Sequence, residues 1–103
     1  MYILLVFRKP TLKELKVGGT FGHKITDRGV SSLCAEGGSK IERLVMERCA
    51  VTDPSLHTLA TEMRMLTSLD VTECGDITGD GLKIFESLVE TRPSPYNHCQ
   101  ILR

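Results

Sequence analysis

The sequence predicts an α/β solenoid, with short parallel strands stacked on one face and a helix following each strand on the other. Two observations carry this. The first is internal repetition: residues 12–33 (LKELKVGGTFGHKITDRGVSSL), 41–59 (IERLVMERCAVTDPSLHTL) and 66–88 (LTSLDVTECGDITGDGLKIFESL) lie on one another. Leu12, Leu15 and Val17 match Ile41, Leu44 and Met46, and then Leu66, Leu69 and Val71. The second is a change of period inside each unit. The leading apolar residues alternate as in a strand. Val30/Leu33, Leu56/Leu59 and Leu82/Phe85 follow at helical spacing. No unit of this size buries a core alone, so stability has to come from neighbour stacking.

Taken in order, Met1 to Thr11 fits two readings: the helix of a partial repeat, with Tyr2 and Leu5 inward, or a short apolar strand covering the first unit. Residues 12–90 hold three repeats, whose inward strand positions are separated by polar outward ones. The helix starts are signed by Asp27 and Asp53, expected to cap the free first-turn amides, with Pro54 just inside the second helix. In the third unit Gly79 replaces the aspartate, so Thr78 or Asp80 must cap, and this helix start is expected to be the weakest. Gly37-Gly38 ends the first helix. Residues 91–103 place Cys99 one period after Cys74, yet Thr91 and Ser94 take the leucine positions. Pro93 and Pro95 also disfavour ladder pairing, so an irregular tail is expected. Both ends then lack polar capping units, as in a fragment of a larger protein or a chain that docks on a partner.

The strand pattern LxxLxLxx(C/N) resembles a leucine-rich repeat. Cys49-Ala50-Val51-Thr52-Asp53 and Cys74-Gly75-Asp76-Ile77-Thr78 look like the cysteine-containing subtype, typical of F-box/leucine-rich-repeat substrate receptors of cullin-based ubiquitin ligases. The pattern departs at Thr20, where cysteine is expected, and at Gly79. The resemblance implies a substrate-recognition segment, with an F-box upstream of it joining an adaptor and a cullin. Mitochondrial assembly factors with short repeats are similar too, and give the alternative of a structural or assembly protein.

Other chemistries meet specific obstacles. Asp76, Thr78, Asp80 and Gly81 imitate the start of a calcium loop, but its last ligand position holds Ser87, and Leu82, Ile84 and Phe85 fall inside it. The cysteines at 34, 49, 74 and 99 are too far apart for paired zinc ligands, so no cofactor or metal is expected. Cys49 and Cys74 are expected as buried corner thiols stacked on each other, Cys34 as packed, and Cys99 as exposed. His23, His57 and His98 are not placed beside a thiol, and Gly18-Gly19 leads into no phosphate-binding motif; the glycines instead relieve crowding at a strand end. No active site is expected.

Lys plus Arg equals Asp plus Glu at 13 each, and with no tryptophan nothing favours nucleic acid or an acidic membrane. Met1 to Phe7 is too short to span a membrane and lacks the form of a signal peptide. A cytoplasmic or nuclear location with reduced thiols is the resulting expectation. The outward strand positions are the candidate protein-binding surface: Glu14 and Lys16, then Arg43, Val45, Glu47 and Arg48, then Ser68, Asp70, Thr72 and Glu73. Arg43 and Arg48 are the favoured anchors. The alternative for this face is a solvated surface with ion pairs between rows.

Overall fold

The computed structural model describes residues 12–103, so the two readings of residues 1–11 lie outside it. Strands β1 (Glu14–Gly18), β2 (Arg43–Glu47), β3 (Ser68–Asp70) and β4 (Gln100–Leu102) form one parallel sheet in chain order. Helices α1 (Asp27–Ala35), α2 (Asp53–Glu62) and α3 (Gly79–Glu90) lie between them in sequence, and each packs on its neighbour. This is the solenoid that the repeat predicts.

Register carries the alternating residues into rows. Leu15 pairs with Leu44, Leu44 with Leu69, and Leu69 with Ile101. All four join the core, and Val17 and Met46 form the next row. The helices contribute Val30/Leu33, Leu56/Leu59 and Leu82/Phe85, every one of them buried. Gly37, in the left-handed conformation, turns the chain after α1.

The helix starts correct the capping expectation. The N-cap residues are Thr26, Thr52 and Thr78; Asp27, Asp53 and Gly79 are already the first helical residues. From that position a carboxylate is poorly placed to fold back on its own first turn, so it reaches sideways instead. Asp27 accepts from the Thr52 amide at 2.8 Å, from the Thr52 hydroxyl at 2.5 Å and from the Ser55 hydroxyl. Asp53 repeats the arrangement one unit on, accepting from the Thr78 amide at 2.9 Å and its hydroxyl at 2.6 Å. The Thr-Asp pair is thus a latch between units. The third helix start, expected as the weakest, has the side-chain cap that the other two lack: the Gly81 amide donates to the Thr78 hydroxyl at 3.0 Å.

The Asp27 latch should be visible in acid. Partial desolvation raises its carboxyl pKa, but the bonds from Ser55 and Thr52 outweigh this and hold it below the ordinary 3.8. A carboxyl depressed by folding contributes stability that is whole above its unfolded value and is lost as pH falls through the folded one. Asp27→Asn is expected to cost about 1 kcal/mol at neutral pH. It should also flatten the fall in urea midpoint below pH 4, which denaturation at pH 7 and pH 3 would measure. Gly79→Asp, by contrast, should add about 0.5 kcal/mol through the helix dipole and backbone entropy. A small rise in melting temperature is the readout.

Residues 91–103, expected as an irregular tail, contain β4. The Val71 amide donates to the Leu102 carbonyl at 2.7 Å and the Gln100 amide to the Thr67 carbonyl at 2.9 Å. Both prolines fall before the strand and remove no ladder donor from it. Cys99 and Ile101 pack against the core, so Cys99 is half-buried rather than exposed. Phe85, Leu69 and Val89 are buried on this side of the third unit. Arg92 completes that side from within. Only 5% exposed, it donates to the carbonyls of Leu66 (2.8 Å), Met63 (2.9 Å) and Ala60 (3.0 Å). These groups lie at and just beyond the end of α2, where a cation also meets the negative end of the helix dipole.

Candidate protein-interaction face

Strand alternation turns every second side chain away from the helices, and the parallel register lines those residues up across the sheet. One row reads Glu14, Arg43, Ser68 and Gln100; the next reads Lys16, Val45, Asp70 and Leu102; Gly18 and Glu47 begin a third. Gln100 and Leu102 were not legible as part of this face, because the strand that carries them was not.

The charged members are largely committed to one another. Arg43 Nη1 lies 3.9 Å from Glu14 Oε1, and Arg48 is paired with Glu73, whose carboxylate raises the pKa of the guanidinium. Exposed pairs of this kind contribute little stability. They leave the face electrically mixed and its arginines open to exchange partners. Asp70 folds back to accept from the Thr72 amide (2.9 Å) and hydroxyl (2.5 Å), in the turn that follows β3. Val45, expected to project toward a partner, is 5% exposed and outside the main core cluster. In the register it is flanked by Lys16 and Asp70, so it fills the face rather than offering an anchor.

Above the strands the chain turns through a geometry that recurs from unit to unit. Gly19 (φ 75°), Arg48 (φ 59°) and Glu73 (φ 58°), at matching repeat positions, all adopt the left-handed conformation. The residue after each is Thr20, Cys49 or Cys74. Cys74 donates its thiol to the Met46 carbonyl of the preceding unit at 2.9 Å, tying the two corners together. Burial pushes the Cys49 thiol up to about 12 and Cys34 and Cys99 to about 11, and it raises Cys74 as well. Such thiols are protonated at neutral pH and serve as packing groups, not as thiolate nucleophiles. His23, His57 and His98 are all exposed.

The stretch that imitates a calcium loop is the third corner. Its Thr78 hydroxyl is taken by Asp53 and Gly81, and Gly81 lies in the first turn of α3. Among the described residues no helix is long and apolar enough to cross a membrane.

An open parallel sheet with outward polar rows and a helical back defines a protein-binding scaffold. Two segments, residues 8–34 and 62–83, match the leucine-rich repeat family. Together with the parallel sheet and its helical back, these matches support a leucine-rich-repeat type of fold. The matched segments include the strands of the first and third units, and the second shares their register. No curated protein and no solved structure matches the chain.

Proposed function

We propose that the chain is the substrate-recognition segment of an F-box/leucine-rich-repeat receptor in a cullin-based ubiquitin ligase, holding its protein partner on the outward strand rows. The observation that supports this most is the cysteine corner. Cys74, at the position where the cysteine-containing subtype is defined, hydrogen-bonds the preceding unit rather than simply filling space. The partner surface is Glu14, Lys16, Arg43, Glu47 and Arg48 with Asp70, Thr72 and Glu73, where existing ion pairs exchange for bonds to the partner. The ligase role requires an F-box outside the repeats on the same polypeptide.

Affinity purification of the full-length protein from its own cells tests the two levels separately. Recovery of an adaptor and a cullin is the expected result. Recovery of a partner that is lost on Arg43→Glu, without adaptor or cullin, would overturn the ligase role while leaving the interaction module in place.

A further inference from the structure

The corner between strand and helix is longer in the first unit, residues 19–26, than in the second, residues 48–52. The additional chain forms a 3-10 turn, Gly19–Lys24, which the repeat does not need. This turn is firmly seated. Gly22 is buried with its α-carbon against the Arg48 and Glu47 carbonyls, so closely that any side chain would collide with that backbone. The Ile25 amide closes the turn on the Gly22 carbonyl at 2.8 Å, and the Ala50 amide bonds the Ile25 carbonyl at 2.8 Å.

On this seated turn Phe21 stands 67% exposed, the most exposed large apolar side chain among the described residues. Holding an aromatic ring in water has no benefit for folding. Lys24 lies over the ring, its ammonium 5.6 Å from the centroid. Along the sequence the turn and its flanks carry Lys16, His23, Lys24 and Arg28, and the only acid in residues 15–28 is Asp27, with Glu47 on the neighbouring strand beneath the turn. The Asp27 carboxylate is already occupied by Thr52 and Ser55. None of Lys16, Lys24 and Arg28 forms an ion pair among the described residues.

We infer that the Gly19–Lys24 turn is a docking knob for an acidic peptide segment of a protein partner, distinct from the strand rows. An apolar side chain of the peptide packs on the free face of Phe21. Neighbouring carboxylates pair with Lys24 and with Arg28. The exposed cation and ring together select for this chemistry: a basic peptide is repelled, and a purely apolar one leaves the lysine unanswered. This inference rests on the reading of the chain as a protein-interaction module, and adds a second contact to it.

A random peptide library displayed on phage, selected against the intact chain, is the test. The expected outcome is a consensus of Asp or Glu flanking an apolar residue, whose synthetic peptide binds about tenfold more weakly to Phe21→Ala and to Lys24→Glu. Binding should weaken further as salt is raised. Because Phe21 is exposed, its variant should keep the wild-type urea midpoint, so a loss of binding is not a loss of folding. An acidic consensus insensitive to both substitutions but lost on Arg43→Glu would overturn the knob while leaving the strand face as the site. A neutral or basic consensus, or no enrichment at all, would overturn it as well.

Discussion

Replacing Arg92 with methionine is expected to destabilise the protein by about 3 kcal/mol, the largest effect of any side chain outside the apolar core. The guanidinium serves three backbone carbonyls within 3.0 Å, those of Leu66, Met63 and Ala60. Methionine fills much of the same volume and removes the desolvated charge. It leaves the carbonyls behind, however, and no substitution can delete a backbone acceptor. That separates this site from a buried ion pair, where both partners can be replaced together at little cost. Lysine should rescue only a minor part, since a single ammonium does not reproduce the planar fork. Urea denaturation gives the loss. Hydrogen exchange should place it first at the end of α2 and in the loop before β3. Equal stability for the arginine and methionine proteins would refute the capping role.

Gly18→Ala should cost a comparable amount, about 3 kcal/mol, for a different reason. Gly18 has φ 103° and ψ −139°, a region nearly closed to residues with a side chain. An added Cβ would also run into the Glu47 carbonyl, the very backbone that pairs with Gly18 in the sheet. The chain must then either shift β1 off β2 or strain the turn. Because contacts in a solenoid run mainly between neighbours, the damage should stay local. Exchange protection should fall in β1 and α1 and remain unchanged in α3. Uniform loss across all three helices would show that the units are coupled more tightly than nearest-neighbour stacking allows.

How far the molecule could be read in advance depended on whether a feature was periodic. Leu15, Leu44 and Leu69 repeat a local pattern, and the sheet register places them opposite one another. Ile101 belongs to the same row, yet it follows Leu69 by a longer step than any between earlier strands, because the return passes through a loop after α3 instead of straight into the next strand. A search at constant period lands on Cys99 and misses it. Asp27 and Asp53 stand out in the sequence at the helix starts, where an aspartate points first to its own helix. The bond partners lie about a full unit away, and only the recurring Thr-Asp pair hinted at contact between copies. Arg92 gave no local signal at all, since what it satisfies is backbone, which has no signature in composition. On the candidate face, strand alternation proposes the outward residues. It did not reveal that Val45 is covered or that Phe21, on the longer corner, is displayed.

The aspartate latches have an orientation. Each carboxylate reaches forward, Asp27 to the second unit and Asp53 to the third, and neither bonds backward. The aspartate of a unit therefore holds the successor, and Gly79 leaves the third unit without such an aspartate. The glycine that looked like a defect in the pattern marks the point where forward coupling stops. The units are thus not interchangeable. A duplicated second unit would lengthen the array with its aspartate latch intact, whereas anything stacked after the third would lack one from it.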